Sequence, residues 1–192
     1  KMIRVLMVVQ LMGIHLVCSV FLVRNSGTLN KICSHTDTAH YLFSDTSKND
    51  DLGRKSLQCG RRVDALKLWL AWRAKGNDGW RLQVEQYFSI AKYLADKVIE
   101  NPLLELASEP SLTNVCIRYS GARLTQEKQD IANEQIRTDL LSSGRFMVST
   151  SLIDERPILR AVVANPSVSE SVVDELLSTI VEVGNELSQT KY

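Results

Sequence analysis

The residues with reactive side chains in this sequence are few and far apart. The four cysteines stand at Cys18, Cys33, Cys59 and Cys116, with no CxxC pair and no histidine at metal-ligand spacing from them. This spacing predicts no metal site. Cys18 and Cys116 lie inside apolar runs and are predicted to be small buried hydrophobic residues. Buried, unpaired cysteines favour a reducing, cytoplasmic setting.

The charge balance argues against nucleic acid as a partner. The chain has 192 residues, with 23 basic and 22 acidic side chains and a formal net charge of +1. Phosphate binding needs a concentrated basic face, and we interpret the densest basic cluster as a solvated surface: Arg54, Lys55, Arg61, Arg62 and Lys67. The three histidines have no triad partners, and we predict structural or surface roles for His15, His35 and His40.

An uncharged, mostly apolar run occupies residues 5–23. Three interpretations are open: a membrane anchor, a signal sequence or a buried strand. A bilayer span needs about 20 apolar residues, and Gln10, His15 and Ser19 interrupt this run. A signal peptide needs small residues at its cleavage site, which the segment VFLVRNSG does not supply. We therefore predict that residues 16–24 form a strand buried on both faces of a parallel sheet.

Two helices are predicted in the middle of the chain. Residues 62–75 carry an apolar stripe at helical spacing, followed by Gly76 as a stop; its members are Val63, Leu66, Trp69, Leu70 and Ala74. Residues 78–100 keep this spacing to Asn101-Pro102, which ends the helix. We expect the large aromatic side chains of both helices to be only partly covered: Trp69, Trp72, Trp80 and Phe88. Residues 25–28 are predicted to be a turn, and residues 33–60 a long polar loop.

From about residue 101 the pattern changes to short strands and two helices. Strands are predicted over residues 103–107, 113–119, 145–152 and 157–165, with a turn at Asp154-Glu155-Arg156 between the last two. Helices are predicted over residues 125–144 and from a capping box formed by Ser167 and Glu170. The sequence therefore predicts an α/β chain with a boundary near residue 100 and a compact α+β unit over residues 101–192.

One stretch carries a family signature. SLQCGRRVDALKLWLAWRAKG, residues 56–76, strongly resembles the segment that follows the active-site loop in group II pyridoxal-phosphate-dependent amino-acid decarboxylases. That family includes glutamate, cysteine sulfinate, diaminobutyrate and aromatic amino-acid decarboxylases. Further stretches resemble the family in the same order along the chain: LMGIHLVCSVFLVR, AHYLF, LTNVCIRY, SSGRFMVSTSL and ILRAVVANPSVS. The chain is most similar to the bacterial-type diaminobutyrate branch or the cysteine sulfinate branch.

The resemblance implies a fold and a reaction. It identifies the chain as the C-terminal part of a fold-type I enzyme with pyridoxal 5'-phosphate as cofactor, a carboxy-lyase that removes the α-carboxylate of an amino acid. Residues 1–100 then correspond to the end of the large, cofactor-binding domain with its mobile loop and two helices. Residues 101–192 correspond to the small α+β domain. The resemblance also implies a cytoplasmic homodimer, and we expect neither a membrane nor a nucleic acid as partner.

The chain departs from the family at the cofactor lysine. Relatives carry Asn/Asp-Pro-His-Lys immediately before the strand, and the lysine forms a Schiff base with the cofactor. Here the matching residues are Met7, Val8, Val9 and Gln10. The amide nitrogen of Gln10 cannot form an imine, because its lone pair is delocalised into the carbonyl. The stretch SDTSKNDDLGRKS also lacks the loop tyrosine that protonates the product carbon in many relatives, and the other ring-binding residues of the family are not in this sequence.

Five residues are site candidates by resemblance. Arg160, in ILRAVVANP, matches the family arginine that binds the substrate α-carboxylate; the alternative is a strand arginine that points to solvent or pairs with Glu155. Four residues after the mobile loop match the dimer-facing side of the site or, alternatively, a loop-to-helix cap: Gln58, Cys59, Gly60 and Arg61. We expect this chain alone to be inactive. The competing hypothesis is a non-catalytic, lysine-lacking relative or truncated product that acts as a dimerisation or regulatory partner, with residues 2–23 as an anchor.

Overall fold

The structure is a computed structural model that describes residues 3–6, 12–14, 18, 20–33, 55–56, 62–121 and 124–189. Two compact units are present, one within Lys1–Val9 and Ile14–Ala74 and the other within Gln10–Gly13 and Lys75–Tyr192. None of the helices in these described ranges has the length and apolar character needed to cross a membrane.

The first unit contains an antiparallel pair of strands. Strand β1, Ile3–Leu6, pairs with strand β2, Val20–Val23. The expectation that residues 16–24 form a strand of a parallel sheet, buried on both faces, is therefore wrong. Phe21 and Leu22 are 47% and 52% exposed. The two strands form a sheet of their own in the described part of the chain, whereas burial on both faces requires layers packed above and below the sheet.

A turn leads from β2 into helix α1, Thr28–Cys33. The Thr28 hydroxyl donates to the Asn25 carbonyl oxygen at 2.8 Å. Gly27 has a φ of 74°, a conformation that glycine adopts without steric cost. The predicted turn is confirmed, whereas α1 was not predicted, because six residues are too few for a clear helical period. Residues 34–54 of the predicted loop lie outside the described residues.

Helix α2, Asp64–Glu100, contains both predicted helices and is interrupted at Gly76. Gly76 has φ 68° and ψ 179°, a conformation that is open essentially only to glycine. The predicted stop is therefore confirmed as a break within one longer element. The segment before the break leaves its apolar stripe exposed, with Val63 at 72% and Trp69 at 57%.

The segment of α2 after Gly76 buries its apolar face. Trp80 is only 5% exposed, so the expectation of partial cover is wrong for this residue. The Nζ of Lys75 lies 4.4 Å from the centroid of the Trp80 ring, a cation–π arrangement. For Phe88, which is 41% exposed, the expectation of partial cover is confirmed. The two tryptophan environments differ because their segments have different neighbours, which the helical period alone does not specify.

A four-stranded antiparallel sheet in the order β3-β4-β6-β5 lies at the centre of the second unit. Its strands are β3, Leu104–Leu106, β4, Asn114–Tyr119, β5, Ser149–Ile153, and β6, Arg156–Val162. Helix α3, Gln126–Ser142, and helix α4, Glu170–Gln189, complete the unit. All four predicted strands and both predicted helices are confirmed, although β5 begins at Ser149 rather than at residue 145.

The core of this unit lies on one face of the sheet. Side chains on β4 alternate between faces, and Val115, Ile117 and Tyr119 enter the core. The helices contribute Leu94 from α2 and Ile136 from α3, each at most 1% exposed. Burial of such a side chain contributes roughly 1.5–3 kcal/mol. The intervening residues of the strands therefore lie on the opposite face.

Helix α4 begins at Glu170, three residues after Ser167. In a capping box the hydroxyl residue precedes the first helical residue and the glutamate is the third helical residue. Ser167 and Glu170 do not have these positions, so that prediction is wrong. The backbone N–H of Val173 donates to the Ser169 carbonyl oxygen at 3.2 Å, which begins the helical hydrogen bonds one residue before Glu170.

Candidate functional site

Arg160 is positioned by the hairpin of β5 and β6. Asp154 and Glu155 form its two-residue turn, with φ values of 53° and 61°, the left-handed conformation that suits a tight turn between twisted strands. The resulting register places Ser149 opposite Arg160. Because successive side chains alternate between faces, Leu159 enters the core while Arg160 lies on the opposite face.

The contacts of Arg160 leave one edge of its guanidinium open. Its Nε donates to Ser149 Oγ at 3.0 Å. The Ser149 hydroxyl in turn donates to the backbone carbonyl oxygen of Arg160 at 3.3 Å. Arg160 is exposed, and within the described ranges it forms no ion pair, so the alternative pairing with Glu155 is absent there. Both Nη groups are available to a carboxylate.

The other two arginines of the sheet have acidic partners. Arg118 is buried, and its Nη1 lies 2.7 Å from Glu105 Oε1 on the neighbouring strand. The Nε of Arg156 lies 3.0 Å from Asp130 Oδ1 on α3. These two guanidiniums neutralise charge within the fold. Arg160 differs from them because its positive charge has no such partner in the described part of the sheet.

A cavity of about 610 Å³ lies between α2 and the loop before β4. Its walls are mostly apolar and include Phe88 and Leu112, with Lys92 and Asp96 as a charged pair. The Lys92 Nζ lies 2.7 Å from Asp96 Oδ2, and this hydrogen bond, together with the carboxylate charge, raises the pKa of Lys92. Arg160 does not line this cavity.

A second cavity of about 330 Å³ lies between the start of α3 and the end of α4. Apolar and polar side chains share its wall, among them Lys128, Ile131 and Leu187. Arg160 is also absent from this lining. Neither cavity therefore includes the carboxylate-binding candidate, which lies on the face of the sheet opposite core side chains such as Leu159.

Five of the sequence-predicted positions lie outside the described residues: Gln10, Gln58, Cys59, Gly60 and Arg61. Their roles stay predictions. The structure does describe Cys18 and Cys116 as free thiols that are 5% and 6% exposed, which confirms that both are buried. In the described ranges no group of three His, Cys, Asp or Glu side chains is arranged to hold a metal ion.

Sequence reasoning missed Ser149, the partner of Arg160. The length of the turn between β5 and β6 could have identified this pair from the sequence. When Asp154 and Glu155 alone form the turn, Ile153 pairs with Arg156, and counting back along both strands places Ser149 opposite Arg160. The prediction included Arg156 in the turn, which gives a different register and hides this pair.

The comparison with known proteins points to one family. The model described as "Pyridoxal-dependent decarboxylase conserved domain" matches residues 8–120. Cysteine sulfinic acid decarboxylase of Mus musculus is 33% identical over 190 residues, which cover 93% of this chain and 38% of the relative. The protein of the same name from Homo sapiens is also 33% identical, with the same coverage. The chain thus spans about two fifths of the length of these curated relatives.

Solved structures also match most of this chain with part of their own length. The apo form of mouse CSAD has a TM-score of 0.77 at 28% identity, covering 95% of this chain and 39% of that chain. Oryza sativa TDC with PLP and tryptamine has a TM-score of 0.64 at 27% identity, covering 71% of this chain and 30% of that chain. The described α/β architecture is therefore that of a partial fold-type I enzyme.

Proposed function

The chain belongs to the pyridoxal-dependent decarboxylase family, and on this basis we propose that it is the C-terminal portion of an amino-acid decarboxylase in which Arg160 binds the substrate α-carboxylate. The observation that carries the proposal is the exposed guanidinium of Arg160, whose Nη groups have no carboxylate partner in the described ranges. Residues 1–100 end the large domain of the intact enzyme, and residues 101–192 form its small domain.

The reaction gives this arginine a defined task. Carbon dioxide leaves most readily when the breaking bond stands perpendicular to the cofactor ring, so the carboxylate must be held at one torsion angle. A guanidinium holds that angle because two parallel N–H···O bonds define a plane. In the intact enzyme, pyridoxal phosphate would supply the electron sink for the loss of carbon dioxide.

The described residues do not by themselves fit pyridoxal phosphate. Attachment of the cofactor aldehyde needs an unprotonated lysine amine in an enclosed site. Lys92 and Lys128 line cavities but are exposed. The contact with Asp96 raises the pKa of Lys92 and keeps its amine protonated. Neither of these two cavity-lining lysines therefore suits cofactor attachment, and the proposal for the described residues is limited to carboxylate binding by Arg160.

The proposed substrate is an α-amino acid, and the proposed setting is a cytoplasmic homodimer. Cysteine sulfinate is the first substrate to test, because the mouse, rat and human relatives bear the name cysteine sulfinic acid decarboxylase. Buried free thiols suit a reducing compartment. The exposed apolar stripe of α2 before Gly76 suits a protein interface, and in the dimer Gln58, Cys59, Gly60 and Arg61 line the site.

A second candidate function is a non-catalytic partner of an active enzyme. The residue that favours it is Gln10, which stands where the resemblance implies the cofactor lysine and cannot form the covalent bond. The same exposed stripe, including Val63 and Trp69, then binds another subunit rather than completing this chain's own site. The two candidates differ in one measurable property, which is whether residues 11–192 support turnover when an intact enzyme supplies the cofactor lysine.

A chimaera tests the proposal. Residues 11–192 of this chain replace the matching part of the mouse relative, and decarboxylation of cysteine sulfinate is measured. We expect turnover, and we expect Arg160→Lys to lower kcat/KM about ten- to a hundred-fold, since it keeps the charge but loses the planar fork. The matched control is Arg145→Lys, an exposed arginine of the same unit that pairs with Glu175, and it should leave kcat/KM unchanged.

Two outcomes would contradict the proposal in different ways. A folded chimaera that decarboxylates no amino acid, beside an active mouse enzyme, would favour the non-catalytic candidate. An active chimaera in which Arg160→Lys turns over normally would reject the carboxylate role while leaving the decarboxylase assignment in place.

A further inference from the structure

Ser149 and Arg160 form a hydrogen-bonded pair on the face of the sheet opposite Leu159 and the core. They are directly opposite each other on β5 and β6, where facing side chains lie close enough to interact. The Ser149 hydroxyl donates its single hydrogen to the Arg160 carbonyl oxygen at 3.3 Å. Its lone pairs are therefore directed to the Arg160 side chain, and the Nε–H donates to Oγ at 3.0 Å.

This contact uses one of the two edges by which an arginine binds a carboxylate. The guanidinium offers two parallel N–H groups either from Nε and one Nη, the side edge, or from both Nη atoms, the end edge. Ser149 Oγ accepts the hydrogen bond of Nε, so a carboxylate cannot bind at the side edge. Only the end edge stays open to a ligand.

We propose that Ser149 is a positioning residue that restricts Arg160 to end-on binding of a carboxylate through its two Nη groups. This inference rests on the proposed function, in which the ligand is the substrate α-carboxylate. End-on binding places the carboxylate along the long axis of the guanidinium and so sets the direction in which the substrate extends from β6. Ser149 thereby selects ligands whose carboxylate approaches along that axis.

The hairpin is also held together by contacts other than this one. Backbone pairing runs along β5 and β6 from Ser149 to Ile153 and from Arg156 to Arg160, and both side chains of the pair are solvent-accessible. Ser151 provides an internal comparison. It lies two residues further along the same face of β5, opposite Ile158, and its hydroxyl has no side-chain partner in the described ranges.

The test uses the 192-residue chain and the NMR signals of arginine side chains. The Nε–Hε signal of Arg160 is identified by its loss in Arg160→Lys, and sodium acetate is the carboxylate probe. In the wild-type chain acetate should shift the Nη signals of Arg160 and leave its Nε signal in place. In Ser149→Ala the Nε signal should shift as well, because the side edge of the guanidinium is then open to acetate.

Two further variants separate positioning from a general effect on the strand. Ser149→Thr keeps the hydroxyl and should behave as the wild type. Ser151→Ala removes a hydroxyl from the same face and should also behave as the wild type. A purely structural role for Ser149 would change the melting temperature of Ser149→Ala without moving the Nε response.

The outcomes distinguish this inference from the proposed function. If acetate shifts the Arg160 Nε signal of the wild-type chain, or if Ser149→Ala responds as the wild type, Ser149 does not position Arg160 and the carboxylate role stands. If acetate shifts no Arg160 signal in any variant, the carboxylate role itself is rejected.

Discussion

Gly184 lies so close to the ring of Tyr119 that a Cβ built on the glycine would be 2.6 Å from both Cε2 and Cζ. The two residues belong to α4 and β4, so this contact sets how closely the helix approaches the sheet. The Tyr119 hydroxyl donates to Asn185 Oδ1 at 2.9 Å on the same helix and holds the ring in place. A glycine is therefore required at position 184 for reasons of space.

Gly184→Ala should destabilise the chain. The added methyl group meets a ring that is buried and hydrogen-bonded, and overpacking of this kind costs about 1–3 kcal/mol. Urea unfolding followed by circular dichroism measures the loss. Ser178→Ala, an exposed change on the same helix, is the control and should stay within about 0.5 kcal/mol of the wild type. An equally stable Gly184→Ala chain would show that the helix is free to move away from the sheet.

Asn133 should be essential because its side chain satisfies the backbone N–H and carbonyl oxygen of Tyr119 at the end of β4. Continuing the β4–β6 register two residues past Ile117 and Leu159 places Tyr119 opposite Pro157, which has no N–H to donate. The side chain of Asn133 in α3 provides the hydrogen bonds instead. Its Oδ1 accepts from the Tyr119 N–H at 2.9 Å, and its Nδ2 donates to the Tyr119 carbonyl oxygen at 3.0 Å.

Asn133→Ala leaves both of those backbone groups buried without a partner, so we expect a loss of about 2–4 kcal/mol in the free energy of unfolding. The measurement is again urea unfolding, with the exposed Glu134→Ala as control. A loss below about 0.5 kcal/mol would mean that water or another group replaces the amide.

Tyr87 should make the stability fall at alkaline pH. Burial raises the pKa of Tyr87, whose hydroxyl donates to the Ala164 carbonyl oxygen at 3.2 Å. At a pH near 10 the unfolded state loses the phenol proton of Tyr87, whereas the folded state still keeps it. The stability that neutral Tyr87 contributes is therefore fully present below about pH 10 and is lost as the pH rises through the folded pKa.

The pH effect is isolated in a Tyr93→Phe background, because the hydrogen bond to Asp174 raises the pKa of Tyr93 as well. Unfolding free energies from pH 8 to pH 11 should fall less steeply in Tyr87→Phe/Tyr93→Phe than in Tyr93→Phe. Equal slopes would contradict the assignment to Tyr87.

Truncation should reveal how much of the core α2 supplies. Tyr87, Leu94 and Val98 are each at most 1% exposed and belong to the core of the second unit. A chain of residues 77–192 should therefore unfold in one sharp urea transition. A chain of residues 102–192 lacks these side chains and should bind ANS and unfold gradually. If the shorter chain instead unfolds cooperatively without binding dye, the domain of residues 101–192 has a core of its own.

The 192-residue chain should not bind pyridoxal phosphate covalently at one site. Gln10 has no reactive amine, and in the described ranges the cavity-lining Lys92 and Lys128 are exposed. Incubation with the cofactor, reduction with borohydride and peptide mass spectrometry test this expectation. A single lysine modified in high yield would overturn it. Scattered low-level labelling, which exposed lysines give, is the expected background.

Local patterns in the sequence were enough for much of the second unit. A helical pattern located α3, and short strand-like segments located β4 and β6. Gly76 was identifiable as a break because few other residues accept its backbone angles. Arg160 was found through the family resemblance, since the residue type and its strand carry no such information by themselves.

Strand pairing and the burial of individual side chains became known only from the tertiary structure. The apolar run at residues 16–24 predicted a strand, but not that β2 pairs with β1 in antiparallel orientation and leaves Phe21 exposed. The helical period placed Trp69 and Trp80 alike on apolar stripes, yet one is exposed and the other buried. A pattern records that a side chain is apolar, whereas its burial depends on residues distant in the sequence.

The sequence by itself indicated the family, the order of the helices and strands in the second unit, and the arginine that we propose as a carboxylate ligand. Only the tertiary structure decided that Ser149 accepts a hydrogen bond from the Nε of Arg160, and that Asn133 Nδ2 donates to the Tyr119 carbonyl oxygen in place of the missing N–H of Pro157. The physical reason is the range of the interactions. Helical periods and turns arise from neighbours along the chain, whereas strand register and hydrogen bonds between distant residues depend on how the whole chain packs.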